Sequence, residues 1–166
     1  MSLVKNGVAT LDPFVRIEDG APLPSGPVLL PLARFLAERE TLAGRNEPVG
    51  VLVPNDADVR ILEPHLRQIA LIVLTFPKFR DGRAYTQARL LRERLGFTGE
   101  LRAAGNVLRD QLLMMVRCGF NAFEISKPGD AGALEDALKT YSVFYQPTAD
   151  GRPTALRARL AAARQG

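Results

Sequence analysis

Lys78, Arg80 and Arg83 fall within six consecutive residues, directly after the apolar run IALIVLTF (69–76), and Arg102, Asn106 and Arg109 gather one segment later. Guanidinium forks, an ammonium and a carboxamide are groups that grip an oxyanion or an acidic surface through charge-assisted hydrogen bonds. Asp81, Tyr85 and Gln111 stand among them as supporting groups, and Asp110 interrupts the otherwise apolar stretch VLRDQLLMMV. A carboxylate in such a stretch either forms a structural pair, with Arg83, Arg102 or Arg109 as partner, or works as a general acid or base, which makes Asp110 the candidate catalytic residue. Residues 78–117 hold nine Lys/Arg against four Asp/Glu, whereas the rest of the chain holds thirteen against fourteen. The net charge of +4 is therefore local, which suits a bound anion or an acidic partner better than a polymer wrapped along the chain. Aromatic residues make up only 7% and offer no stacking platform, so nucleic acid is not an expected partner.

These groups act together only if the fold brings them to one edge. From Val28 onward short apolar runs alternate with helical stretches, which predicts an α/β fold with a mainly parallel sheet of about five βα units, either an open doubly wound sheet or a partial (βα)-barrel. In both, the loops after the strand C-termini form the ligand face. Over residues 83–95 a helix is expected, with Ala84, Ala88, Leu91 and Leu95 inward and Arg89 and Arg92 toward water. Asn6-Gly7 predicts a hairpin turn, so residues 1–27 read as a short N-terminal β arm and a Pro/Gly-rich loop. Residues 28–146 form the α/β body and 147–166 a tail helix too poor in apolar surface to dock firmly, all within one domain. Asp56 is the expected cap of the short helix after Pro54. Glu124 faces either the strand-end edge or solvent, and Met114, Met115 and Cys118 read as core filler.

The composition also removes functions. Cys118 is the only cysteine, so the chain has no internal disulfide, no Cys-x-x-Cys pair and no thiolate set for an iron–sulfur cluster or structural zinc. His65 is the only histidine, and nothing near it in sequence supplies a nucleophile and an orienting group. The glycine spacings of dinucleotide- and triphosphate-binding loops are absent. No metal site and no cofactor are expected. No run approaches the roughly 18 apolar residues that span a bilayer, and MSLVKNGVAT lacks the pattern of a secretory signal, which predicts a cytoplasmic protein without a membrane partner.

Phe79, Asp81-Gly82-Arg83, Tyr85, Leu91-Arg92, Gly99-Glu100-Leu101-Arg102-Ala103, Gly105, Leu108, Arg109, Asp110-Gln111 and Gly119-Phe120 carry a likeness. Over about residues 28–146, and most densely from Phe76 to Glu124, the chain resembles a bacterial family of unknown function labelled as a probable oxidoreductase involved in sulfite reduction. The resemblance implies company with assimilatory sulfite reductase. A six-electron reduction needs sirohaem and an iron–sulfur cluster, which one cysteine cannot ligate, so the expected role is accessory. Such a role consists of binding a sulfur oxyanion, with Lys78, Arg80, Arg83, Arg102, Asn106 and Arg109 as its ligands, or of docking on a reductase subunit through the same basic patch.

Overall fold

The computed structural model describes residues 2–5, 8–78, 80–125, 131–141 and 143–164. Eight strands form one sheet. β1 (Ser2–Lys5) and β2 (Val8–Thr10) pair antiparallel, and β1 also lies antiparallel to β8 (Ala122–Ile125). β3 (Val15–Arg16), β4 (Val28–Pro31), β5 (Val49–Val53), β6 (Ile69–Phe76) and β7 (Glu100–Gly105) then run parallel in sequence order up to β8. The helical segments are α1 (Leu32–Ala43), a 3-10 helix (Val59–His65), α2 (Arg83–Arg89) continuing as a π turn (Leu90–Arg94), a 3-10 turn (Arg109–Gln111) leading into α3 (Leu112–Arg117), α4 (Ala131–Thr140) and α5 (Ala155–Ala163).

The strand order β2-β1-β8-β7-β6-β5-β4-β3 never reverses among the parallel strands. Each right-handed crossover that adds its strand on the same side leaves its helix on the same face, so the helices stack on one side and the sheet curls away from them. One core cluster joins Phe35, Leu62, Ala84, Leu91, Leu112 and Met115 of the helical layer to the outward strand residues. On the concave side a second, small cluster holds only Leu29, Leu71, Val73 and Ala104, with Phe14 and Leu52 packed against it.

The curl has a direct measure. Arg16 on β3 and Glu124 on β8 are five strand steps apart, about 24 Å in a flat sheet. Their side chains meet at 2.6 Å. Only a sheet bent toward a half-barrel brings them within reach.

The expected five βα units with a separate N-terminal β arm are thereby corrected, and with them the open doubly wound sheet. The sheet is mixed and eight-stranded, and β1 is an integral strand because Leu3 and Val4 are apolar on opposite faces and both become buried beside β8. Val15–Arg16 adds a further parallel strand at the other margin. A doubly wound layer is excluded because the concave face is filled by a small apolar cluster, by charged side chains around Arg102 and by the chain around Phe14, not by helices. The Asn6-Gly7 turn lies outside the described residues.

Two local expectations also change. Asp58, not Asp56, caps the 3-10 helix, accepting from the Arg60 N–H at 3.0 Å. Arg89 reaches water, but Arg92 turns inward: Nε donates to Gly119 O at 2.9 Å and Nη1 to Phe97 O and Gly99 O at 2.6 and 2.9 Å. Among the described residues, no helix is long and apolar enough to cross a membrane.

Candidate functional site

The exits of β6 and β7 are stitched together. The two strands are in register from Leu71↔Glu100 to Phe76↔Gly105, and the Asn106 N–H then donates to Phe76 O at 2.8 Å. Gly105 makes this closure possible. Its φ is +93°, and a Cβ there would stand 2.6 Å from Phe76 O. The loops after Phe76 and Gly105 thus leave side by side, and they carry Lys78, Arg80, Arg83, Asn106 and Arg109, all exposed, to one margin of the sheet.

Within that margin the cations are not alike. Lys78 makes no ion pair among the described residues. Arg83, at the start of α2, donates from Nε and Nη2 to Asp81 at 3.0 and 2.7 Å, and its backbone N–H points at the same carboxylate at 3.3 Å. These bonds, with a smaller contribution from Asn55, hold the Asp81 carboxyl far below the usual carboxylate range. Arg109 lies 3.5 Å from Asp136 of α4, both side chains well exposed. Asp110 is exposed and Gln111 half-buried, so the pairing expected for a buried Asp110 is not needed. The Tyr85 ring packs edge-on against Phe76 at 5.2 Å, and burial pushes its phenol pKa up.

Arg102 does not join this margin. It faces the concave side, whereas α2, which carries Arg83, belongs to the helical layer on the convex side. Arg102 has no exposed surface, and its guanidinium is filled by Asp12 at 2.6 and 3.0 Å, Glu100 at 2.8 Å and Glu124 at 3.4 Å. Lys5 binds Glu100 at 2.9 Å and Arg16 binds Glu124, so three cations and three carboxylates neutralise one another inside the curl. Alternation along ELRAAG places Glu100, Arg102 and Ala104 on that face.

Gln87 was not among the expected site residues. It is buried on α2 between Ala84 and Ala88, and its Nε2 donates to Pro54 O and Ala57 O at 3.0 and 2.8 Å, pinning the β5 exit beside the β6 exit. The signal was an amide interrupting the apolar stripe of a predicted helix. His65 touches Gln68 at 3.0 Å and the edge of Phe35, and burial pushes the Cys118 thiol pKa up, away from nucleophilic use. The described residues contain no cluster of three or more His, Cys, Asp or Glu able to hold a metal ion.

What this margin can do is present exposed, partly paired positive charge from two fixed loops to an anionic group. No curated protein matches the chain. Residues 50–156, which include both loops, α2 and the 3-10 turn into α3, match the family described as "Bacterial protein of unknown function (DUF934)", and the chain belongs to that family.

Proposed function

We propose that the chain is an accessory component of assimilatory sulfite reduction, not the sirohaem-bearing subunit, and that the joined β6/β7 exit loops are its docking face for an acidic surface on the reductase. One observation carries the choice of face: the Asn106 N–H to Phe76 O bond holds Lys78, Arg80, Arg83 and Arg109 on one exposed margin. The chemistry favours a protein surface over a dry anion pocket. Arg83 already shares its charge with Asp81, and Arg102, the cation best placed to be desolvated, is spent inside the sheet. Exposed and half-neutralised charges steer and orient a partner more than they add raw affinity. The sulfite assignment rests on the resemblance of the hallmark residues.

A sulfur oxyanion at the same margin is the second reading, supported by the Lys78 ammonium, unpaired among the described residues, near the Asn106 loop. Two titrations separate the readings. Purified assimilatory sulfite reductase should bind the chain and lose binding to the K78E/R80E/R83E variant, while calorimetry with sulfite alone shows no heat. Heat of binding with sulfite, abolished by that variant, would select the oxyanion instead. Binding of neither probe would reject both.

A further inference from the structure

α5 buries none of its residues, yet its base is fixed. Thr154 Oγ1 accepts from the Arg157 N–H at 3.3 Å, the Ala155 N–H donates to Phe144 O at 2.7 Å, and the Arg117 guanidinium lies 3.7 Å from the Phe144 ring centroid. Leu156 and Leu160, one turn apart, are 67% and 53% exposed, which is the outward presentation of two large aliphatic groups from a short helix. They share a stripe with Ala163. Arg157 and Arg164 flank the stripe on one side and Arg159 on the other, and residues 151–164 contain no acid.

The complement of this helix lies on the same molecule. Between α3 and α4 runs a groove of about 470 Å³ lined by Leu113, Ala137, Thr140 and Tyr141, by Asp110, and by the Arg109–Asp136 ion pair. Met114, next to Leu113, is 57% exposed, and Glu135 beside Asp136 is exposed but paired with Lys139. Tyr141 stacks near Phe144, with ring centroids 6.2 Å apart, so the base of α5 stands beside one end of the groove. An Arg-rimmed apolar helix and a groove of apolar side chains with Asp110 in excess over its ion pairs are thus neighbours that the single chain leaves unjoined.

We propose that α5 of one chain docks in the α3–α4 groove of a second copy, and that reciprocal exchange of the two helices makes a two-fold homodimer. A helix laid in a groove through residues at i, i+4 and i+7 is a recurrent mode of recognition, and a two-fold arrangement uses each contact twice. Two leucines are too little for stable membrane binding, which scales with buried apolar area. A nine-residue helix makes a contact at the small end of specific interfaces, roughly 1,200 Å² or less in total, so the dimer is concentration-dependent. The proposal does not rest on the reductase reading, although Arg109 lies on both surfaces.

Analytical ultracentrifugation of the full chain, from micromolar to millimolar, tests it. Wild type should shift from 18.1 kDa toward twice that mass. L156E/L160E and, separately, D110K/D136K should each raise the dissociation constant by about tenfold or more, with melting unchanged because these positions are exposed. An equimolar mixture of the two variants should associate more strongly than either alone, since a mixed dimer regains one intact helix-in-groove contact. A monomer at every concentration, a dimer indifferent to either variant, or a mixture no better than its components would each overturn the proposal.

Discussion

Asp12, in the connection between β2 and β3, and Arg102, in the middle of β7, are joined by two hydrogen bonds of 2.6 and 3.0 Å although ninety residues separate them. This pair ties the N-terminal segment across the concave face. Replacing Arg102 with methionine keeps bulk but leaves Glu100 and Glu124 as buried carboxylates without their common counter-ion. The expected loss is about 3–5 kcal/mol of unfolding free energy by urea titration. A loss below about 1 kcal/mol would show that the network is incidental.

The same pair sets an acid response. Burial works to raise the Asp12 pKa, but hydrogen bonds from Arg102 and the Phe14 N–H, with the charges of Arg102 and Arg16, outweigh it and hold the carboxyl below its ordinary value. A depressed folded-state pKa contributes stability that is present above the unfolded value of about 3.9 and is lost as pH falls through the folded value. D12N should therefore be less stable than wild type at neutral pH, with the gap narrowing below about pH 4. Parallel wild-type and D12N curves across that range would contradict the linkage.

Arg92 and Gly119 are coupled by space. Gly119 has φ +106°, and a Cβ there would collide with Arg92 Cγ while Arg92 Nε donates to Gly119 O. R92A should cost about 2–3 kcal/mol, since a half-buried guanidinium leaves three carbonyls unserved. G119A should cost at least about 1 kcal/mol from its backbone conformation and the clash together. In the double mutant the clash is gone, so denaturation should give less than the sum of the two losses. Strict additivity would show that the contact carries no energy.

Gly105 is the hinge pin of the candidate face. G105A drives a Cβ into Phe76 O and should break the Asn106 N–H bond, loosening the two loops relative to each other. Hydrogen exchange should rise at Asn106 and reductase binding should weaken, while β5 and β6 amides stay protected. Unchanged exchange at Asn106 would mean that the loops are held elsewhere.

The apolar run IALIVLTF as a strand and the inward stripe of α2 were legible, because each depends on residues close together in the chain. The curl was not. That depends on the direction in which successive crossovers add strands, and on Arg16, Asp12 and Glu124 meeting across distances that no window of residues spans. The charges at Lys78, Arg80, Arg83 and Arg109 were legible as a shared margin, since strand exits follow from strand boundaries. Arg102 looked like their companion because a charge within a strand advertises its burial, but not its face: one step in β alternation decided between the loop margin and the interior. Arg92 likewise read as solvent-facing until the loop through Phe97 and Gly99 folded back over it.

If the β6 and β7 exits form the proposed cationic docking face, the dissociation constant between this chain and purified assimilatory sulfite reductase must rise with ionic strength. Exposed charges are screened by salt, so binding should weaken by about tenfold or more from low to high salt, and should be nearly flat with salt in the K78E/R80E/R83E variant. A wild-type dissociation constant that does not move with salt, or a variant that binds as tightly as wild type, would contradict it.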